Sequence, residues 1–139
     1  MRIISLDFDG VLHPSPHHHP RAEVATLAWI DHLVPLLEGH PDVGLLVHSS
    51  WREVHSLDDL QDMLHPMEGR FAGVTPPGER QASLTEWRAA NPDARMLVID
   101  DDPDVEAPAG ASLVRCHPTT GLAAPNVQAE IAAWLDATR

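Results

Sequence analysis

Nine residues near the start of the sequence decide the fold: they read RIISLDFDG, from Arg2 to Gly10. Residues 2–8 form a short, nearly continuous apolar run, which is typical of a β-strand buried on both faces. Asp7 and Asp9 stand at the end of this run, directly before Gly10. A strand of this kind predicts a parallel sheet that helices cover on both sides.

The rest of the sequence alternates between further apolar runs and helical patterns. Strands are predicted at residues 43–48, 71–74, 95–99 and 112–116. Helices are predicted at residues 23–38 with a bend at Pro35, 56–64 with Ser56 as the N-cap, 79–90, and 127–137. This order predicts a single α/β domain over residues 1–139, a three-layer sandwich whose Rossmann-like parallel sheet of about five strands carries helices on both faces.

Composition excludes several classes of protein. The 139 residues include 9 basic and 21 acidic side chains, so the net charge is −12 with neutral histidine. All the cations are arginine, and such a balance argues against an extended nucleic-acid surface, which needs clustered cations. The single cysteine, Cys116, excludes a disulfide scaffold and favours a reducing compartment.

No stretch of the sequence predicts a membrane segment or a signal peptide. No apolar run reaches the roughly 20 residues that a membrane helix needs. The apolar run at the N-terminus reaches Asp7 too early for a signal peptide. We therefore expect a cytoplasmic protein without a membrane partner.

Acids and hydroxyls follow three of the predicted strands. They are Asp7 and Asp9 after the first, Ser49 and Ser50 after the second, and Asp100, Asp101 and Asp102 after the fourth. The carboxyl ends of parallel strands meet at one edge of the sheet, where ligands bind. Carboxylates gathered there repel one another unless a cation compensates, and Mg²⁺, which prefers oxygen ligands, is the simplest such cation.

Three motifs resemble those of the haloacid dehalogenase-like (HAD) phosphohydrolase superfamily. LDFDGVL at 6–12 is similar to the first motif, LLVHS at 45–49 to the second and MLVIDD at 96–101 to the fourth. Small stand-alone HAD domains in which the second motif continues into Ser-Ser-Trp-Arg, as residues 49–52 do, are the nearest subgroup. The resemblance implies a Mg²⁺-dependent phosphatase that hydrolyses phosphomonoesters.

The resemblance also implies roles for individual residues. Asp7 is the nucleophile that forms an aspartyl-phosphate, and Asp9 is the general acid and base. Gly10 lets the chain turn away from the strand. Ser49 is the first choice for the hydroxyl that binds phosphate, and Ser50 is the alternative.

Metal and phosphate contacts complete the implied site. Mg²⁺ is held by Asp7, Asp100 and Asp101 and by the backbone carbonyl of Asp9. The family places a lysine or arginine at a helix start before its fourth motif, and this sequence has no lysine. Arg80 is the best-placed cation for the phosphate, and its rivals are Arg88 and Arg52.

The spacing leaves no room for a cap domain between the motifs. An uncapped site is open, which suits a phosphate on a larger or nucleotide-like molecule, or a site that a second subunit of a homodimer helps to shape. Competing interpretations are a catalytically idle HAD-like binding module, a phospho-acceptor signalling domain and a metal nuclease. The missing lysine argues against the signalling domain, and the net charge of −12 argues against the nuclease.

Four other features have structural interpretations. His17, His18 and His19 are expected in a solvated loop near the substrate entrance. His48 is expected to be a hydrogen-bonded core histidine, and Trp51 is expected to pack rather than to stack on a substrate. Cys116 is expected to be a small buried residue rather than a nucleophile.

Overall fold

A five-stranded parallel sheet forms the centre of the protein, as the sequence predicts. The computed structural model describes residues 1–13 and 27–139. The strands are β1 (Arg2–Leu6), β2 (Val43–Val47), β3 (Phe71–Val74), β4 (Arg95–Asp100) and β5 (Ser112–Arg115). Their spatial order is β3-β2-β1-β4-β5. The first strand, β1, is therefore the central strand of the sheet and has a neighbour on each side.

Helices cover both faces of the sheet. They are α1 (Leu33–Leu37), α2 (Leu57–Met63), α3 (Arg80–Ala90) and α4 (Pro125–Ala137). Leucines and isoleucines from α1, α2 and α4 join one apolar cluster with alternate residues of the strands. Leu84 of α3 joins the cluster on the other face, with Ile3, Leu46 and Met96. Strands buried on both faces explain why their sequences are apolar without alternation.

The helix predicted at residues 23–38 differs from the structure. Residues 23–26 lie outside the described part of the chain, and after them the chain forms a 3-10 helix (Ala28–His32) followed by α1. Leu27 before it has a left-handed backbone, with φ of 60°. Pro35 lies in the first turn of α1, directly after the change from the 3-10 helix to α1, at a position where an α-helix tolerates the missing N–H.

The connections between strands become shorter along the chain, from residues 7–42 between β1 and β2 to residues 101–111 between β4 and β5. A 3-10 helix (Ser50–Glu53), α2 and a second short 3-10 helix (Glu68–Arg70) fill the segment from β2 to β3. Residues 101–111 join β4 to β5 without a helix or strand, and Arg115 donates to the backbone carbonyls of Asp102 and Val105 in this loop. In the ranges 1–13 and 27–139, no segment forms a separate cap over the sheet.

Gly121 fixes the chain after β5 against the loop that follows β1. Its φ is +46°, and a Cβ atom there would lie 2.5 Å from the carbonyl oxygen of Val11 and 2.6 Å from the ring of Trp29. The next residue, Leu122, donates its N–H to the same carbonyl at 3.0 Å. Only glycine permits this close approach of the two segments.

Gly121→Ala is therefore expected to lower the free energy of unfolding by about 1–3 kcal/mol, because the new methyl group must displace backbone and an indole ring. Thermal or urea unfolding measures the change. Gly69→Ala is the matched control, since a Cβ at Gly69 has no atom within 4 Å. Equal stability of the two variants would contradict the account of this contact.

Candidate active site

A row of polar side chains lies just beyond the carboxyl ends of the strands. Leu6 of β1 is in register with Val47 of β2 and with Ile99 of β4, so the residues that follow them are neighbours across the sheet. These are Asp7, His48 and Asp100, and Thr75 follows β3 in the same way. All four side chains are buried. The predicted meeting of strand ends thus brings two carboxylates side by side in the interior.

Arg80 lies between the two buried carboxylates. Its Nη1 is 3.0 Å from Oδ2 of Asp7 and 3.1 Å from both carboxylate oxygens of Asp100. The side chains of Asp7 and Asp100 are 3% and 0% exposed, whereas that of Arg80 is 30% exposed. One guanidinium therefore reaches from the surface into the row and contacts both acids.

The single positive charge of Arg80 only partly compensates the negative charges of the two buried carboxylates. Burial, followed by the charge of Asp100, raises the pKa of Asp7 well above its usual range, and Arg80 opposes that rise. Burial is also the main cause that raises the pKa of Asp100. A single guanidinium does not fully offset two buried negative charges, so the site favours a further cation or a shared proton.

Asp101 adds a third carboxylate, and the donor set fits a hard cation. Asp7, Asp100 and Asp101 each offer an oxygen atom, and these atoms lie within 4.8 Å of one another. Gly10 has a φ of +79°, and the carboxylate of Asp101 packs directly against it, in the space that a Cβ atom would occupy. Oxygen ligands alone match Mg²⁺ and not a metal that prefers sulfur or imidazole.

Asp9 is partly buried beside this cluster and has its own partners. Its Oδ1 lies 2.7 Å from Nε2 of His13, and its Oδ2 accepts from the indole N–H of Trp51 at 3.4 Å. The contact with His13 is the largest of the causes that lower the pKa of Asp9. Sequence reasoning missed His13, although its position four residues after Asp9 in a tight loop was available as a signal.

The two serines differ in position. Ser49 is buried, and its Oγ accepts from the N–H of Trp51 at 3.2 Å, as the cap of the short 3-10 helix Ser50–Glu53. Ser50 is exposed and lines the cavity above the carboxylates. Accepting this bond leaves the hydroxyl hydrogen of Ser49 able to donate, so phosphate binding by Ser49 or by Ser50 stays a prediction.

Arg80 lies at the start of α3 because its neighbours fix that turn. The carboxylate of Glu79 caps the helix by accepting from the N–H groups of Gln81 and Ala82, each at 2.9 Å. The guanidinium of Arg52 donates to the carbonyls of Pro76 and Gly78 and to Oγ of Ser83. The loop before Arg80 is therefore held by another arginine.

The two rival arginines do not contact the carboxylates. Arg52 also donates to the carbonyl of Ser49 at 2.8 Å, so it joins the loops after β2 and β3. Arg88 lies near the other end of α3, where it donates to the carbonyls of Asn91, Pro92, Ala94 and Ala109. Of the three candidates, the structure brings only Arg80 to Asp7 and Asp100.

The other singled-out residues are placed as packing residues where the structure describes them. Trp51 makes edge-to-face contacts with Phe8 and His13, with centroid distances of 5.4 and 5.5 Å. Burial raises the pKa of the Cys116 thiol to about 12, which suits an inert buried residue. His17, His18 and His19 lie outside the described residues.

A cavity of about 710 Å³ opens above the acids. Its lining includes Asp7, Asp9, Ser50, Arg80 and Asp101, followed by residues of the loops after β4 and β5.

None of the helices in the described residues has the length and apolar character that a membrane-spanning helix needs.

His48 carries no charge at neutral pH. Its Nδ1 lies 2.7 Å from Oγ1 of Thr75, and burial, with the nearby charges of Arg52 and Arg80, lowers its pKa from 6.5 to about 3. The unfolded chain therefore binds a proton that the native state refuses between these two values.

Lowering the pH from 7 to 5 is expected to cost about 1–2 kcal/mol of unfolding free energy through His48. His48→Asn keeps an amide that can contact Thr75 but has no proton to gain, so its loss over the same interval is expected to be smaller by that amount. Urea unfolding at the two pH values measures both proteins. The same pH dependence in both would contradict the assignment of a neutral His48.

Comparison with known families agrees with this geometry. Residues 3–127 match the family model described as the HAD domain in Swiss Army Knife RNA repair proteins. No curated protein and no solved structure matches the chain. The family match includes every predicted site residue and all of the five strands except Arg2, the first residue of β1. The chain belongs to the family of HAD domains found in Swiss Army Knife RNA repair proteins.

Proposed function

We propose that the protein is a Mg²⁺-dependent phosphatase that removes a terminal phosphate from RNA or from a nucleotide-like molecule, through an aspartyl-phosphate on Asp7. The contact of Arg80 with both Asp7 and Asp100 carries the proposal, because it puts a buried nucleophilic carboxylate, a second acid and a phosphate-binding cation in one place. The description of the family, which names RNA repair proteins, supports a substrate of this class.

Asp7 is oriented for attack by contacts to each of its oxygens. The backbone N–H of Phe8 donates to Oδ1 at 2.8 Å, and Arg80 contacts Oδ2 at 3.0 Å. In the first step a carboxylate oxygen of Asp7 forms a bond to phosphorus as the bond from phosphorus to the leaving oxygen breaks. Arg80 donates hydrogen bonds to the oxygen atoms of the transferring phosphoryl group, since a guanidinium can donate to a phosphate through two N–H groups.

Asp9 supplies the proton that the leaving oxygen needs. Its pKa is lowered in the substrate-free site by the contact with His13. A bound phosphate dianion places negative charge beside Asp9 and thereby favours the protonated acid. In the second step the Asp9 carboxylate accepts a proton from the water that attacks phosphorus and releases Asp7.

The carboxylates of Asp7, Asp100 and Asp101, with the backbone carbonyl of Asp9, would hold Mg²⁺. A bound Mg²⁺ offsets the negative charge of the transferring phosphoryl group and of the acids around it. Arg80 supplies one positive charge, which is fewer than the three carboxylates need.

The charge of the protein favours a substrate that is bound at one end and not along its phosphate backbone. A net charge of −12 disfavours a long contact with a phosphate backbone. A terminal phosphate needs only the cation and hydroxyls of one open cavity. The alternative, a catalytically idle binding module, predicts that phosphorylated ligands bind and are not hydrolysed.

Asp7→Asn is expected to reduce the hydrolysis of an aryl phosphate and of 3′- or 5′-phosphorylated oligoribonucleotides by at least about 1,000-fold, because the amide cannot attack phosphorus. Its thermal stability is expected to be equal or higher, because a buried negative charge is removed. Asp93→Asn, at an exposed acid in the turn before β4, is the control. Turnover by Asp7→Asn at the wild-type rate would exclude Asp7 as the nucleophile, and a wild type that binds but never hydrolyses would favour the idle module.

Addition of Mg²⁺ is expected to raise the melting temperature by a few degrees at concentrations about tenfold above its Kd, by mass action on the native state. Asp101→Asn removes one ligand and should weaken the effect, whereas Asp104→Asn, at an exposed acid of the same loop, should not. Differential scanning fluorimetry at matched ionic strength measures the shifts. No shift for the wild type at millimolar Mg²⁺ would argue against a preformed metal site.

A further inference from the structure

The cavity is larger than the phosphoryl group that the candidate active site would transfer. Its volume is about 710 Å³, within the range of roughly 300–1,000 Å³ that is usual for sites binding a whole small molecule. Beyond the residues of the candidate active site, the lining consists of residues from the loops after β4 and β5, namely Asp102, Pro103, Cys116, His117 and Pro118. We call these five residues the second wall.

The ring of His117 has a fixed orientation and tautomer. The backbone N–H of Thr119 donates to Nδ1 of His117 at 3.2 Å, and Oγ1 of Thr119 lies 2.7 Å from the same nitrogen. A backbone N–H can only donate, so Nδ1 accepts and carries no proton in the neutral ring. Nε2 therefore carries the hydrogen and is a donor.

The backbone at His117 is also held on both sides. The residue before it, Cys116, donates its N–H to the carbonyl of Asp100 at 2.9 Å. The carbonyl of His117 accepts from the N–H groups of Thr120 and Gly121, at 3.1 and 2.9 Å. An exposed side chain on such a fixed turn loses little freedom when a ligand binds, which favours specific recognition.

His117 supplies a type of contact that the second wall otherwise lacks. The other side chains of the second wall are one carboxylate, that of Asp102, two prolines and the buried thiol of Cys116. Carboxylates repel phosphate and do not donate when ionised, so the Nε2–H of His117 is the strong side-chain donor there. The ribose oxygens of a nucleotide are acceptors that match it.

We propose that the second wall is a subsite for the nucleoside that carries the terminal phosphate, and that His117 donates from Nε2 to an oxygen atom of that nucleoside. This inference rests on the proposed function. It makes His117 a substrate-binding residue that distinguishes a nucleotide from free phosphate.

Binding to the Asp7→Asn protein tests the subsite without hydrolysis. Calorimetry in Mg²⁺ gives the Kd of adenosine 3′-monophosphate, adenosine 5′-monophosphate and inorganic phosphate, and the readout is the ratio of the nucleotide Kd to the phosphate Kd. We expect at least one nucleotide to bind more tightly than phosphate, and which one does identifies the end that the subsite accepts. His117→Ala in the same background should raise that ratio about three- to tenfold, as expected for one lost hydrogen bond.

Two further variants make the result specific. His117→Gln places an amide N–H near the position of Nε2. It should bring the ratio of the nucleotide Kd to the phosphate Kd most of the way back to the value found with His117 present. His65→Ala removes another exposed histidine, which contacts Glu68 on the connection from α2 to β3, and should leave the ratio unchanged. Phosphate binding measured in each variant reports damage to the active site itself.

Three results would overturn the proposal: nucleotides that bind no more tightly than phosphate, a ratio that His117→Ala leaves unchanged, or a His117→Gln protein that behaves like His117→Ala. None of these depends on turnover. The proposed phosphatase activity fails separately, through a wild-type protein that hydrolyses no phosphomonoester.

Discussion

The contact of Arg80 with two buried carboxylates is the constraint around which the rest of the site is arranged. Asp7 and Asp100 are neighbours because β1 and β4 are parallel and Leu6 pairs with Ile99. The register of the sheet therefore fixes the positions of both acids. Burial makes their charges costly, and one guanidinium offsets that cost only in part. A site with this imbalance is suited to bind a cation and to attack an electrophile.

The sequence has no lysine, and three arginines make different contacts around α3. Arg52 joins the loops after β2 and β3 through five hydrogen bonds to three carbonyls and one hydroxyl, which fixes the turn before α3. Arg80 follows that turn and is thereby directed at the acids. Arg88 closes the far end of the same helix. A planar group with several donors suits these multiple contacts better than an ammonium group would.

The strands could be predicted from the sequence because burial on both faces leaves a strong local signal. The meeting of Asp7 and Asp100 followed from the predicted topology. The choice of Arg80 followed from the resemblance, which implies a cation at a helix start before the fourth motif. The helix before β2 could not be predicted well, since its apolar spacing did not reveal the left-handed backbone at Leu27. His13 and His117 were missed because their contacts depend on loop geometry rather than on periodicity.

The proposed chemistry depends on a covalent bond between Asp7 and phosphorus. Acid quenching of the wild-type protein during turnover of an aryl phosphate, followed by peptide mapping with mass spectrometry, looks for that bond directly. The account predicts a phosphoryl group on Asp7, absent from Asp7→Asn and increased in Asp9→Asn. An aryl leaving group departs without the proton of Asp9, whereas the second step still needs Asp9 as its base. Rapid turnover with no phosphoryl group on Asp7 at any quench time, in the wild type or in Asp9→Asn, would contradict it.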